Sequence, residues 1–413
     1  MTAAGERIAG DPGILHEIAQ AEGYVASVCF KTGPPALTGA ELEWTVHRSD
    51  AGDRPIGADL LRAALGPHAP HVLDPSSPHL PLPGGGVVTV EPGGQVEIST
   101  QPRRSLAALH RTTEADIGRL TARLATHGLA LGSHGIDPHR GPLPVLSTPR
   151  YAAMASAFDR HGPAGQVMMR CTAGLQVCVD AGEPAEIPAR WEALHLLGPA
   201  LLATFANARH HAGRDTGWAS WRFAAWLGMD PARTAPAWTP EHAGRDPALA
   251  WARYALTAPL VCLRQDGGDW TAPPGVTFAD WVAGALPTPP TTDDLDYHLG
   301  TLFPPVRPRG YLEVRYLDSQ PPGEWIAPVA VVAALLGDQP TVDDVRHICA
   351  PVADRWHAAA RYGLADPAIA AVARKVLDLA CARLHHTDLP SATRRHVHQI
   401  VRRRMAAGTG EGS

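Results

Sequence analysis

The chain has 413 residues, a formal net charge of −5, 45% hydrophobic residues and 19% charged residues. This balance is typical of a globular protein with a large core, and it excludes the basic surface that nucleic-acid binding requires. No apolar run approaches the roughly 18 residues of a membrane span, and the N-terminus lacks a signal pattern. We therefore expect a cytoplasmic protein with neither nucleic-acid nor membrane partners.

Helices and strands alternate irregularly along the sequence, and no internal repeat is visible. The patterns predict helices at 11–21, 58–65, 105–126, 148–160, 188–208, 219–227, 247–258 and 292–300. They predict strands at 25–30, 40–46, 87–100, 129–132, 166–180 and 311–318. Residues from about 324 to 405 are predicted to be helical, within a single catalytic domain over 1–405, and 406–413 are predicted to be a disordered tail.

The most informative segment is 87–100, which predicts two strands joined by a turn at Pro92-Gly93-Gly94. Side chains alternate along a strand, so Val96 and Ile98 face one side and Glu97 faces the other. One face of this hairpin is therefore apolar, and the other carries a carboxylate.

Three further strands repeat this design. Segment 40–46 places Glu41 and Glu43 on one face, and segment 311–318 places Glu313 and Arg315 together on its polar face. Segment 174–180 presents Gln176 in the same way. Carboxylate oxygens with few histidine or cysteine partners select hard cations, so Mg²⁺ or Mn²⁺ is the expected occupant.

The Glu313 and Arg315 pair suits a metal-bound phosphoryl group, because the acid can hold the metal while the guanidinium neutralises phosphate oxygens. Neither of the two lysines, Lys31 and Lys375, lies in a glycine-rich phosphate loop, so a nucleotide site must use arginine and metal. Cys171 and Cys178 have no neighbouring histidine as a base, and we expect them to pack in the core.

Five motifs occur here in the order seen in a known family: GAELEW, EPGGQVEIS, MMRCTAGLQVCVD, WASWRFAAW and LFPPVRPRGYLEVRYLD. They resemble the glutamate–cysteine ligases of the second family, which includes the plant enzymes, and are most similar to actinobacterial members that serve ergothioneine synthesis. The resemblance covers roughly residues 38–336.

This resemblance implies an α+β, glutamine-synthetase-like fold, in which a curved, mostly antiparallel sheet carries the active site on its concave face and helices pack behind. It implies that ATP phosphorylates the γ-carboxylate of glutamate and that the amine of cysteine attacks the acyl phosphate. Small-molecule partners would be glutamate, cysteine and ATP, with Mg²⁺ as the metal. The sequence leaves open another acceptor amine, a non-catalytic ATP or amino-acid sensor, and the oligomeric state.

The family motifs also imply residue roles. Glu41, Glu43, Glu97 and Glu313 match the acidic strand positions and are the candidate metal ligands, with Glu91 as a weaker fifth. Gln176 falls where more distant relatives carry a histidine ligand, and it is a further candidate metal ligand because an amide oxygen can coordinate magnesium, although less strongly. Arg315 would stabilise the transferring phosphoryl group, Arg222 would bind phosphate or an α-carboxylate, and Arg170 would bind an amino-acid carboxylate.

An acyl phosphate is lost if water reaches it, so the site should be covered during turnover. The loops at 133–146 and 210–217, rich in glycine, histidine and arginine, are the predicted lids.

Overall fold

The computed structural model describes residues 13–408. Its strands are β1 (Thr38–Trp44), β2 (Val46–Arg48), β3 (Val87–Val90), β4 (Val96–Ser99), β5 (Leu129–Leu131), β6 (Gly174–Val179), β7 (His210–His211), β8 (Arg214–Asp215), β9 (Val306–Pro308) and β10 (Leu312–Asp318).

The first nine helices are α1 (Ile18–Cys29), α2 (Ala58–Leu65), α3 (Leu106–Ala125), α4 (Pro149–Asp159), α5 (Ala164–Cys171), α6 (Ile187–Leu196), α7 (Gly198–Thr204), α8 (Trp221–Met229) and α9 (Pro231–Thr234). The others are α10 (Pro247–Thr257), α11 (Phe278–Val282), α12 (Thr292–Leu299), α13 (Ile326–Leu335), α14 (Gln339–Cys349), α15 (Trp356–Tyr362), α16 (Pro367–Arg383) and α17 (Ser391–Gly408). No helix within 13–408 has both the length and the apolar character needed to cross a membrane.

The centre of the fold is a six-stranded sheet in the order β3-β4-β1-β6-β10-β9, in which every neighbouring pair is antiparallel. Two small ribbons, β2 with β5 and β7 with β8, lie outside it. The sheet agrees with the predicted mostly antiparallel architecture.

The two faces of the sheet differ as the alternation predicted. Leu42 lies opposite Ile98 and Leu175, and these side chains are buried in the main core. On the other face, Glu43 lies opposite Glu97 on the neighbouring strand. The apolar face is therefore covered by helices, while the acidic face supplies functional side chains.

Strand β10 contains an irregularity in its pairing with β6, next to Arg315. Its pairing with β6 shifts register between Val314 and Leu317, as in a β-bulge. Within the bulge, the Arg315 amide donates to the carbonyl of Pro305 at 2.8 Å. Tyr316 turns to the helical side, where its hydroxyl donates to the Leu194 carbonyl at 3.2 Å. Arg315 and Tyr316 thus lie on opposite faces of the sheet, as successive residues of a strand do.

One hydrophobic cluster extends from Leu15 to Met405, joining the sheet to the helices of the C-terminal part. This continuity supports the single-domain organisation, which stays a prediction. A second, smaller cluster contains four of the six methionines. They are Met154, Met168, Met169 and Met229, and they pack with Trp226 and Phe303.

The structure corrects two strand predictions. The sequence predicts a strand at 25–30, but residues 25–29 form the end of α1 because Ala21, Val25 and Cys29 form a buried stripe at helical spacing, and Phe30 caps the helix. Only the second half of 166–180 is a strand, since α5 ends at Cys171.

The ends of the chain extend beyond what the structure describes. Residues 11 and 12 of the first predicted helix lie outside the described residues, and α1 begins at Ile18. The last helix, α17, extends to Gly408, three residues into the segment predicted as a tail. The remainder of that segment lies outside the described residues.

Candidate active site

A cavity of about 430 Å³ opens on the acidic face of the sheet. Its lining includes six of the predicted site residues: Glu41, Glu43, Glu91, Glu97, Gln176 and Arg315. Glu313 lies in contact with this lining but is completely buried. Arg170 and Arg222 do not line the cavity.

The acidic side of the cavity is a cluster of carboxylates on β1, β4 and the hairpin turn. Glu97 accepts hydrogen bonds from the hydroxyls of Thr89 at 2.8 Å and Ser99 at 2.9 Å. Burial, and then the nearby charges of Glu41 and Glu43, raise the pKa of Glu97 well above its usual value. Without a counter-ion, these carboxylates repel one another.

Glu91 extends this acidic cluster at the end of β3. Burial, followed by the charge of Glu43, raises the pKa of Glu91 to about 7. Its side chain lines the cavity rather than standing in bulk solvent as acids at turns often do.

The hairpin turn is fixed by close packing against α5. A Cβ atom added to Gly93 would lie 2.0 Å from the carbonyl oxygen of Arg170, so only glycine fits there. Gly94 has a φ of 83°, the left-handed conformation that glycine adopts readily. The turn that follows Glu91 therefore packs directly against the backbone of Arg170.

The cationic side of the cavity is organised by Glu313. Its Oε2 atom accepts from Arg307 Nε at 2.8 Å and from Arg315 Nη1 at 2.7 Å. Burial alone would raise the pKa of Glu313, but the guanidinium groups of Arg307, Arg315 and Arg309 hold it well below its usual range. Glu313 is therefore ionised, and its charge keeps two buried arginines side by side.

Gln176 connects the acidic and cationic sides. Its amide nitrogen donates to Glu43 Oε1 at 3.0 Å, and its amide oxygen accepts from Arg315. Glu43 Oε2 also accepts from the Gly174 amide at 2.6 Å. In this arrangement the Gln176 oxygen is engaged by a guanidinium.

Arg222 lies behind the cavity and is fully buried. It donates to the carbonyl oxygen of Arg315 at 3.0 Å, and it lies 3.7 Å from the carboxylate of Asp318. The guanidinium carbons of Arg222 and Arg315 lie 5.1 and 5.4 Å from the ring centre of Trp226. Arg222 thus supports the bulge that presents Arg315.

The donor set suits a hard divalent cation. Oxygen atoms of Glu41 and Glu313 lie within 4.8 Å of each other and of the Cys178 sulfur. Among the residues described, Glu313 Oε1 has no hydrogen-bond partner although it is buried. Burial, with Glu41 and Glu313, raises the pKa of the Cys178 thiol, so the neutral sulfur is a poor ligand. The oxygens therefore fit Mg²⁺ or Mn²⁺ better than a thiophilic metal.

Sequence reasoning missed three arginines of the cavity wall: Arg150, Arg307 and Arg309. A signal existed for the last two, because alternation in the PVRPRGYLEV segment places them on the face of Glu313. Arg150, in the first turn of α4, gave no comparable signal, since its position depends on how that helix docks.

The two predicted lids contact each other, and neither contributes a described side chain to the cavity lining. The amides of Ala212 and Gly213 donate to the carbonyls of Asp137 at 3.3 Å and Pro138 at 2.7 Å. At the other end of the first loop, the Val145 and Leu146 amides both donate to the Pro92 carbonyl. Their role as lids stays a prediction.

Helices behind a mostly antiparallel sheet, with carboxylates and guanidinium groups gathered in one cavity, agree with the predicted α+β, glutamine-synthetase-like fold of the carboxylate–amine ligases. The chain superimposes over 96% of its length on a bifunctional glutathione synthetase from Pasteurella multocida, with a TM-score of 0.50 and 13% identity. It spans about half of that protein, covering 50%. At this identity the likeness concerns the fold alone.

The chain belongs to glutamate-cysteine ligase family 2, whose model matches residues 37–408. It is 39% identical over 412 residues to glutamate–cysteine ligase EgtA of Mycobacterium tuberculosis, covering 97% of this chain and 92% of that protein. Identity to EgtA of Mycolicibacterium smegmatis is 37% over 392 residues, covering 93% and 87%. The chloroplastic glutamate–cysteine ligase of Arabidopsis thaliana is 29% identical, covering 64% and 51%.

Proposed function

We propose that this protein joins the γ-carboxylate of glutamate to the amine of cysteine at the expense of ATP, giving γ-glutamylcysteine for ergothioneine biosynthesis in the cytoplasm. Family membership and the EgtA relatives support this function. The observation that carries it is the cavity itself, in which Glu41, Glu43 and Glu97 face Arg315 across one sheet surface. Such a site can hold both a metal–nucleotide complex and an anionic amino acid.

The carboxylates of Glu41, Glu43, Glu97 and Glu313 would hold Mg²⁺, with Mn²⁺ as a substitute, and Glu91 is a fifth candidate. When bound, the metal offsets the repulsion between the triphosphate and the glutamate carboxylate. We assign Gln176 to orienting Glu43 and Arg315, because its amide groups already join those two side chains.

Arg315 stabilises the phosphoryl group during its transfer. A γ-carboxylate oxygen of glutamate forms a bond to the γ-phosphorus of ATP while the bond to the ADP oxygen breaks. Negative charge then spreads over the equatorial oxygens of the phosphoryl group. The planar guanidinium of Arg315, held in place by Glu313, can stabilise that charge without changing its position. Arg222 helps to position the Arg315 guanidinium, because it donates a hydrogen bond to the backbone carbonyl of Arg315.

The second step releases phosphate. The neutral amine of cysteine attacks the acyl carbon, the amide bond forms, and the bond between that carbon and the phosphate oxygen breaks, while the departing phosphate takes up the proton that the amine loses. Arg307 and Arg309, which line the same cavity, are placed to hold the departing phosphate. The buried position of Glu313 between Arg307 and Arg315 keeps this cationic wall in place.

The decisive experiment is ADP release by the purified protein with ATP and Mg²⁺, adding glutamate alone, cysteine alone, and then both. Release that needs both amino acids, with γ-glutamylcysteine identified by mass, is the expected result. Release with glutamate that is indifferent to cysteine would assign another acceptor amine. No release under any condition would favour a protein that only binds these ligands, and the proposal would then be abandoned.

A further inference from the structure

The cavity has a second wall that differs chemically from the charged one. Its side chains are Met154, Met168, Met169, Trp226 and Phe303. Each is buried, and each turns a small part of its surface to the cavity. This methionine wall belongs to the small hydrophobic cluster that is separate from the main core.

We propose that the methionine wall receives the CH₂SH side chain of the acceptor amino acid and selects cysteine over serine. This inference rests on the proposed function and deepens it. Thioethers and aromatic rings are polarizable, and they make favourable contacts with a sulfur atom. A thiol is also a weak hydrogen-bond donor, so its burial costs little when no polar partner is present.

The position of the wall relates it to the acceptor rather than to the nucleotide base. Trp226 lies against the guanidinium of Arg315, the group assigned to the transferring phosphoryl. The adenine of ATP is separated from the γ-phosphorus by ribose and two further phosphates. The attacking amino acid, by contrast, must lie directly beside the acyl phosphate. Trp226 is the residue of the wall that lies near this position.

Three backbone carbonyls of the wall already accept hydrogen bonds from the protein. The carbonyl of Phe303 accepts from Trp226 Nε1 at 2.7 Å, and the carbonyl of Met169 accepts from Gln95 Nε2 at 3.4 Å. The carbonyl of Met168 accepts from the Thr172 hydroxyl. A serine hydroxyl placed against this wall would lose its bonds to water without full replacement, whereas a thiol would lose little.

The test compares kcat/KM for cysteine, serine and 2-aminobutyrate, which carries a methyl group in place of the thiol. For the wild-type protein, kcat/KM should be at least about tenfold higher with 2-aminobutyrate than with serine. Burying a hydroxyl against the wall is unfavourable, whereas burying a methyl group is not. Preference for serine over 2-aminobutyrate would overturn the inference.

Met168→Gln adds hydrogen-bonding groups at similar volume. It should reduce the preference for cysteine over serine about tenfold, with little change in KM for ATP or glutamate. Met168→Leu, which stays apolar, should keep the preference. Met229→Gln is the matched control, because Met229 lies in the same cluster but outside the cavity lining.

Three outcomes would refute the assignment. A rise in KM for ATP alone would mean that the wall contacts the nucleotide. A rise in KM for glutamate alone would mean that it contacts the methylene groups of glutamate. An unchanged preference for cysteine over serine would mean that the wall does not determine specificity. If Met168→Gln does not fold, Met154→Gln on α4 carries the same test. Absence of ligation in the wild-type protein would instead refute the proposed function.

Discussion

Glu97→Gln is expected to stabilise the metal-free protein while it abolishes turnover. Glu97 lies opposite Glu43 in the sheet, and the other carboxylates of the cavity are close enough to raise its pKa. Glutamine has nearly the same shape and can still accept from Thr89 and Ser99 through its amide oxygen. The substitution therefore removes repulsion without removing the hydrogen bonds.

The magnitude follows from the cross-strand geometry. Opposite residues in an antiparallel pair have Cβ atoms about 5 Å apart, and two full charges at that distance repel by about 3 kcal/mol in an effective dielectric of about 20. The carboxylate oxygens of the two side chains can lie farther apart than their Cβ atoms, so the gain from the substitution is smaller. We expect an increase of about 1–2 kcal/mol in the free energy of unfolding.

Urea unfolding in EDTA and in Mg²⁺ measures this effect directly. The wild-type protein should gain stability with Mg²⁺, and Glu97→Gln should lose most of that gain together with metal-dependent ADP release. Glu241→Gln, at an exposed position outside the cavity, is the matched control. Destabilisation of the Glu97 variant in EDTA would refute the repulsion argument, and an unchanged response to Mg²⁺ would remove Glu97 from the metal ligands.

Three further substitutions test other parts of the structure. Arg315→Lys should lower kcat about a hundredfold and change KM for ATP less, because lysine keeps the charge but loses the planar fork; a rise in KM at constant kcat would make Arg315 a binding residue. Gly93→Ala should cost about 2–3 kcal/mol of stability in urea, since its Cβ would meet the Arg170 carbonyl, whereas Gly118→Ala in open space on α3 should not destabilise. Burial lowers the pKa of His298 to about 3, so the folded state binds fewer protons than the unfolded state below about pH 6.5, and stability should fall by about 1.4 kcal/mol per pH unit on acidification. In His298→Gln this slope between pH 6.5 and 5 should be smaller, and an identical slope would contradict the assignment.

The acidic strands could be predicted from the sequence because each has one apolar face and one polar face. Glu41, Glu43, Glu97 and Glu313 alternate with apolar residues, and alternation survives whatever the strands pair with. The pairing of 87–90 with 96–99 was equally visible, since the turn glycines lie between them.

The errors arose where local pattern and tertiary packing disagree. Residues 25–30 contain valine, cysteine and phenylalanine, which favour strands, yet burial of one helical stripe against α10 decides the outcome. The motif of Arg222 carried no information about its depth, and its role as a ligand of phosphate or an α-carboxylate stays a prediction. Its burial behind Arg315 follows from the docking of α8 on β10, a contact between distant parts of the chain.

Backbone hydrogen bonds join the loops at 133–146 and 210–217, and we expect them to couple the motions of the two loops. Displacing the hairpin breaks its bonds to Asp137 and Pro138, and displacing the first loop also pulls on the Pro92 carbonyl, one residue from Glu91. The pair therefore forms one cooperative unit for hydrogen exchange, in which the amides of Ala212, Gly213 and Val145 should exchange at a common rate. A displacement of the first loop would be transmitted through Pro92 to the segment that carries Glu91.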